Sequence, residues 1–500
     1  MGVRLQAFGV QRCRPLKKIL YCIILVGFIF AGKLSMMKKL LFVSLLFSLC
    51  GFSQQHSAGW QEDSVFIHSI ANTIMSSQAA YDNLKYLTKK IGGRLAGSPQ
   101  MVQAEQWGYK TMKDAGAENV IMQQCMVPHW VRGGKDKVII TYDDVKGKQQ
   151  SFAINVLALG NSAGSGAAGV KAPLIVVNNF DELDKVKENV KGKIVFYNCD
   201  FDDTIISPFG AYGKNVRYRG NGASRAAKYG ALAVLVRSMT NGTDNNPHTG
   251  ALRYNDSFPH IPAVAVGLDD VRKVAALAAG NIKLSAQVFT YGTMLPDTVG
   301  YNIIGELKGT EFPDEIITIG GHLDSWDVNE GAHDDGAGVV HTIEVLRALA
   351  ALGYKPKHTI HFVLFANEEN GTRGAKQYAE EAKLHNEKHI FALESDAGGF
   401  TPRGFGVSVN DEQWNKIIAW KGLFTPYYGD LFERGGGGAD VGYLADAFKT
   451  PVGEFIPDSQ RYFDVHHSAS DILENVNSRE LRLGAVNIAA FIYLVDKYGL

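Results

Sequence analysis

The sequence predicts an α/β protein: a mixed, mostly parallel sheet covered by helices, interrupted by a second, β-rich unit. From Tyr301 onward, short apolar runs alternate with amphipathic stretches, the pattern of strands covered on both faces by helices. Between 126 and 295 the rhythm changes to closely spaced β-rich runs. The chain has 500 residues, 46% of them hydrophobic and 20% charged. It is too long for one ordinary domain and apolar enough to bury large cores, which excludes a disordered or fibrous protein. Lys+Arg and Asp+Glu both number 51, so no basic excess is available for a phosphate backbone. Nucleic acid is excluded as a partner on that ground.

Residues 1–53 read as a targeting region. An apolar run at 19–32 follows Arg12, Arg14, Lys17 and Lys18, and a second at 40–52 follows Met36, Met37, Lys38 and Lys39. Each is short for a membrane-spanning helix, which needs about 20 apolar residues. The second has the order of a secretory signal: basic start, apolar stretch, then the small residues Gly51 and Ser53. Cleavage after Ser53 leaves a mature chain from Gln54 that is secreted or periplasmic and not inserted in a membrane. The run before Met36 reads as an over-extended start, with an N-terminal membrane anchor as the alternative. Cleavage removes Cys13, Cys22 and Cys50, leaving Cys125 and Cys199 of the five cysteines. These two are expected as buried free thiols, although an exported chain would permit a disulfide.

Along the mature chain, 62–118 reads as helical. Ser98-Pro99 has the chemistry of a helix start, with Ser as N-cap and Pro at the first helical position. Strand candidates follow at 138–142, 154–159, 174–177 and 193–197. Next come 231–236 and 263–266, alternating with helices at 224–229 and 269–278. The later rhythm gives strands at 302–306, 315–320, 359–366, 389–394 and 452–455. Helices between and after them fall at 338–352, 372–382, 411–422, 440–447 and 478–498. The expected division is 54–125 with 296–500 as one domain, and 126–295 as the inserted one.

Polar residues gather just beyond the apolar strands. One strand leads into Gly320-Gly321-His322-Leu323-Asp324, the next into Asn367-Glu368-Glu369, the next into Glu394-Ser395-Asp396. In open parallel α/β sheets, ligands bind beyond the carboxyl ends of the strands. Two loops add Asp334-Asp335 and His466-His467. Imidazoles and carboxylates in this number suit two borderline cations such as zinc. One carboxylate can bridge two cations that lower the pKa of a shared water, and another can accept its proton.

These words, in this order, resemble the co-catalytic di-zinc exopeptidases of the aminopeptidase and glutamate carboxypeptidase type. The matching segments are Gly321-His322-Leu323-Asp324-Ser325-Trp326-Asp327-Val328, Asp334-Asp335-Gly336, Glu368-Glu369, Glu394-Ser395-Asp396-Ala397-Gly398 and His466-His467-Ser468. Upstream, Gly92-Gly93-Arg94-Leu95-Ala96-Gly97-Ser98-Pro99 also matches. The resemblance implies the zinc exopeptidase fold and two Zn2+ ions. It implies that His322, Asp334 and Asp396 hold one ion and Asp334, Glu369 and His467 the other. Glu368 then serves as general base and acid. Asp324 would orient the His322 imidazole, and Asp334-Asp335 would be joined by a cis peptide. Many relatives carry Tyr at the place of His466, which leaves His466 as the candidate oxyanion donor. Segment 126–295 resembles the protease-associated domain inserted in some relatives. The implied substrates are dipeptides or short peptides with free termini, the implied assembly a homodimer. An aminopeptidase releasing N-terminal residues is the close alternative, and a non-catalytic receptor on the same scaffold a more distant one.

Other motifs carry less. Gly160-Asn161-Ser162-Ala163-Gly164 matches the serine-hydrolase elbow, but more glycines follow where that motif needs a helix. His341 and His361 lack ligand context and read as structural. His385 and His389 are four apart without the glutamate placement of a zinc helix. Asn241, Asn255 and Asn370 begin glycosylation sequons.

Overall fold

Strands buried on both faces must be apolar throughout, and such strands form the centre of one eight-stranded sheet in the computed structural model, which describes residues 58–500. The targeting region, its cleavage position and Cys13, Cys22 and Cys50 lie outside the described residues. Every residue of His358–Phe365 is buried, as are Ile316 to His322 of Phe312–His322. Burial of phenylalanines such as Phe362, Phe365 and Phe391 contributes roughly 1.5–3 kcal/mol each. The strand order is Asn119–Val131, Thr293–Leu307, His358–Phe365, Phe312–His322, Lys388–Glu394, Val452–Pro457, Pro402–Ser408 and Leu431–Arg434. The four central strands run parallel, and antiparallel pairs flank them.

Helices cover the sheet. Ala337–Ala351 packs against Ser478–Tyr498. Asp63, in Ala58–Met75, accepts hydrogen bonds from the Tyr493 hydroxyl at 2.8 Å and the Tyr498 hydroxyl at 2.7 Å. The Ser98 side chain accepts from Met101 N–H and starts Pro99–Asp114, as its sequence predicts.

The second eight-stranded sheet has Leu284–Phe289, Val170–Val177, Ile194–Tyr197, Ala233–Arg237 and Ala263–Val266 as its consecutive middle strands. The chain enters and leaves it along one long antiparallel pair, with Asn119 opposite Glu306 and Val131 opposite Thr293. Two local readings differ from the sequence. The expected strand 154–159 is split into Gln149–Ile154 and Val156–Ala158, because the Asn155 N–H donates to Asp270 instead of a neighbouring strand. The helix expected at 224–229 is Pro208–Ala227. Its glycines hide it from propensity, yet Gly222 is needed: a Cβ there would lie 2.8 Å from the Tyr197 ring. Cys125 and Cys199 are both buried and free. Among the described residues no helix is long and apolar enough to cross a membrane.

Candidate metal centre

The parallel strands end level. His322 is in register with Phe365, and Gly320 with Glu394. The residues that follow therefore emerge at one sheet edge, where the Asp334 loop and the His466-His467 turn meet them. His322 Nε2 lies 3.2 Å from Asp334 Oδ1 and 3.4 Å from Asp396 Oδ1. His467 Nε2 lies 3.1 Å from Asp334 Oδ2 and 3.1 Å from Glu369 Oε2. Asp334 thus stands between two imidazoles. His466 is farther off, with Nε2 3.7 Å from Asp334 Oδ2, and its ring stacks on His467 at 3.6 Å. The donor atoms of His322, Asp334 and Asp396 lie within 4.8 Å of one another, and so do those of Asp334, His466 and His467.

Buried carboxylates hold this cluster by its backbone. Asp335 accepts from His322 N–H at 3.1 Å and Gly338 N–H at 2.8 Å, and the Asp334–Asp335 peptide is cis. Asp471 accepts from His333 N–H at 2.7 Å and Asp334 N–H at 3.1 Å. Asp324 accepts from Glu368 N–H at 2.9 Å and Glu369 N–H at 3.2 Å. Asp324 meets His322 through two groups. The closer partner of His322 Nδ1 is the Asp324 backbone carbonyl, at 3.0 Å, with the carboxylate at 3.6 Å. A carbonyl only accepts, so Nδ1 carries the proton and the Nε2 lone pair faces Asp334 and Asp396. Arg94, fully buried, donates to the carbonyls of Leu323 (2.5 Å), Glu330 (2.9 Å) and Gly331 (3.1 Å). It ties the loop after His322 to the loop before Asp334.

The electrostatics call for cations. His322 Nε2, Asp334 Oδ2, Glu369 Oε1 and Asp396 Oδ1 are buried without a hydrogen-bond partner. Burial opposes protonation of His322, but the Asp396 charge and the adjacent carboxylates of Asp324 and Asp334 hold its pKa well above the imidazole range. Burial likewise opposes protonation of His467, which Glu369 and Asp334 outweigh. Burial raises Asp334, yet the two imidazoles hold it well below the usual carboxylate range. Burial, then the Asp334 charge, pushes Glu369 up to about 7. Protons thus occupy the places that metal ions would take. Orphaned nitrogen and oxygen donors in two groups sharing one carboxylate fit borderline divalent ions.

These groups line one side of a cavity of about 750 Å³, with Glu368 facing it beside both donor sets. Burial pushes Glu368 well above its ordinary value, opposed by His322 and reinforced by Asp396, Glu369 and Asp324. The opposite wall comes from the second sheet's unit and includes Arg217, Arg219 and Arg253. Arg219 is buried. It donates to the Tyr212 hydroxyl at 2.7 Å and the Thr249 carbonyl at 3.3 Å, while its Nε has no partner. No carboxylate among the described residues pairs with it.

The remaining motifs are structural here. Ser162 is buried and its Oγ has no hydrogen-bond partner, so no base activates it. His341 is bound by Ser395 and the Leu481 carbonyl, His361 by the Tyr378 hydroxyl. Asn370 is buried against Asn161. Sequence reasoning missed Asp335 and Asp471 as backbone anchors and Arg94 and Arg219 by role; Arg94 and Asp335 stood in matching words.

Family models match at residues 302–492, peptidase family M28, and at 153–274, a PA domain. Human carboxypeptidase Q is 32% identical over 419 residues, 84% of each chain. The chain belongs to peptidase family M28. As a member it is a metallo-exopeptidase. The M28 peptidase precursor of Shewanella amazonensis superposes with TM-score 0.80 at 30% identity, covering 87% of this chain and 97% of that one. A zinc aminopeptidase of Bacillus subtilis shares the fold, with TM-score 0.60 at 20% identity over 83% of this chain and 94% of that one.

Arg94→Met would remove the side-chain donor of the Leu323 and half-buried Glu330 carbonyls, while the Gly331 carbonyl keeps the Gly336 N–H. We expect a loss of about 1–3 kcal/mol from denaturant unfolding of the metal-free chain, the cost of a buried unsatisfied group. An unchanged midpoint would show that the loops hold without the clamp.

Proposed function

We propose that the chain is an exported zinc-dependent exopeptidase that hydrolyses dipeptides or short peptides with free termini. The observation that carries the reading is Asp334, shared by two imidazole–carboxylate sets and facing an arginine wall across one cavity. His322, Asp334 and Asp396 form one donor set, and Asp334, Glu369 and His467 the other. His467 is taken before His466 because its Nε2 is closer to Asp334 and also meets Glu369. Two zinc ions held there would polarise the scissile carbonyl and lower the pKa of an attacking water.

The chain's own groups do the rest. Glu368 takes the proton of that water and returns it to the leaving amine. Glu368 faces the cavity beside both donor sets, where it can reach both the water and the leaving group. Asp324 acts on the chemistry only by holding the Glu368 and Glu369 amides and, through its carbonyl, His322. Burial, then the His467 charge, holds His466 well below the imidazole range, so it stays neutral and can donate N–H to the developing oxyanion. Arg219, without a carboxylate of its own, is placed to receive the free carboxylate of the substrate. Residues 126–295 form the inserted unit, 54–125 with 296–500 the peptidase unit, and the chain acts as a homodimer. Residues 1–53 direct its export to a secreted or periplasmic location, with no membrane insertion after cleavage.

A panel of free dipeptides, N-blocked dipeptides, C-amidated dipeptides and aminoacyl anilides tests the reading. We expect free dipeptides to be cleaved, activity to vanish with a chelator, and zinc to restore it. Preference for aminoacyl anilides would replace this reading by an aminopeptidase, and absence of any zinc-dependent cleavage by a receptor on the same scaffold.

Glu368→Gln should bind as much zinc as the unaltered chain and lose about a hundredfold or more in kcat, the range for a positioned acid–base group. A wild-type rate would remove Glu368 from the role. Arg219→Met, assayed at saturating zinc, should raise KM for free dipeptides about tenfold, because a hydrogen bond to a charged group contributes roughly 1.5–3 kcal/mol. C-amidated dipeptides should be little affected. An equal change for both substrates would show that Arg219 does not read the carboxylate.

A further inference from the structure

The two donor sets differ in what holds them. His322 and Asp396 are fixed from within the peptidase unit. His322 N–H is held by Asp335 and its Nδ1 by the Asp324 carbonyl, while Ser395, before Asp396, donates its N–H to the Gly320 carbonyl. Glu369, whose amide Asp324 holds, and His467 are held in addition from across the cavity, by the segment that matches the PA domain, 153–274.

Thr249 of that segment makes a two-point contact with His467. Its N–H donates to the His467 carbonyl at 2.9 Å, and its own carbonyl lies 3.3 Å from His467 Nδ1. Arg219 Nη1, from the same segment, lies at the same 3.3 Å from Nδ1, so two groups of that segment hold the Nδ1 edge of the ring while Nε2 points at Asp334 and Glu369. His467 itself has a left-handed backbone, φ 59°, which an isolated turn disfavours for this residue type. Thr249 is not free to drift. It is buried, its hydroxyl donates to the Ala158 carbonyl at 2.8 Å, and the neighbouring Gly250 carbonyl accepts from Gly160 N–H at 3.0 Å. Gly250 has φ 129°, and a Cβ there would collide with the Arg219 guanidinium packed against it. One residue past Glu369, Asn370 forms a reciprocal amide pair with Asn161: Asn370 Nδ2 donates to Asn161 Oδ1 at 3.1 Å and Asn161 Nδ2 to the Asn370 carbonyl at 3.4 Å.

We infer that the PA segment is a working part of one metal site and not of the other. Thr249 and Asn161 are positioning residues: they set the place of His467 and the place of Glu369. The affinity of the Asp334–Glu369–His467 set then depends on how the PA segment is seated, whereas that of the His322–Asp334–Asp396 set does not. Linkage makes the effect reciprocal, so metal in the dependent set tightens the seating of residues 247–252. The inference rests on reading Glu369 and His467 as ligands, and its test separates the two.

Zinc is titrated into the metal-stripped full chain against a chelating indicator, for the unaltered protein, Asn161→Ala, Gly250→Ala and His467→Ala. His467→Ala should lose one zinc; if it keeps both, the ligand reading fails. Asn161→Ala and Gly250→Ala should keep one zinc at unaltered affinity and bind the other about tenfold or more weakly, the range for residues that orient a ligand. If His467→Ala loses one zinc while both of these variants bind as the unaltered chain does, or weaken both zincs alike, the ligands stand and the inference is overturned. Hydrogen exchange on the unaltered chain needs no variant to fold. The Thr249 amide should gain protection on adding the second equivalent of zinc, and unchanged exchange across 247–252 would equally overturn the inference.

Discussion

Asp334 offers one carboxylate oxygen to His322 and the other to His467, and the rest of the peptidase unit is arranged to keep it there. Its amide is pinned by Asp471, and its neighbour Asp335 pins His322. Arg94 binds the loop before it to the loop after His322. Each is a buried side chain satisfying backbone groups that the strand ends leave open, and each orphaned group would otherwise cost stability. The sheet contributes level strand ends; these side-chain-to-backbone bonds convert level ends into a fixed cluster.

Such a cluster is unfavourable on its own. Asp334, Glu369 and Asp396 stand close together in a buried place, and ionised carboxylates there require a cation or a proton. Burial and mutual repulsion push Glu369 up to about 7 and raise Asp396, while the imidazoles rise by drawing protons toward the same charges. Protons and divalent ions therefore compete for one set of atoms, and metal binding must release protons. The same charge crowding that makes the site unfavourable when empty of cations makes it selective for them.

Much of this was legible in the sequence because parallel strands buried on both faces must be apolar, and in such sheets the chemistry lies beyond their carboxyl ends. The runs before His322, Glu368 and Asp396 announced both facts. Anchors that bond only to backbone left no pattern of their own: Asp471 looks like any loop aspartate, and Asp335 stood in a matching word without its role showing. Spacing singled out Asp324 beside His322, but it did not show that its backbone carbonyl is the nearer group to the imidazole and that its carboxylate also holds the Glu368 turn. In the PA segment, glycines concealed the helix Pro208–Ala227 that carries Tyr212 and Arg219 to the cavity. Asn161 lay inside a Gly-rich tract whose only apparent motif was a false one.

The second unit changes the meaning of the cavity. The strand-end wall is acidic and the facing wall basic, so on the proposed reading cations would take up the acidic wall and the substrate carboxylate would meet the arginines. The two walls belong to different units, and their separation is set by contacts such as Gly160 under the Trp326 ring and Arg132 on Asp327. A peptide whose carboxylate reaches Arg219 while its scissile carbonyl lies beside Asp334 is limited to the length that gap admits. A residue added on the carboxylate side moves that charge away from Arg219 or the carbonyl away from Glu368, and either loses an interaction made only when both are in place. On the proposed reading, length selection on that side would be a property of the interface between the units rather than of either one.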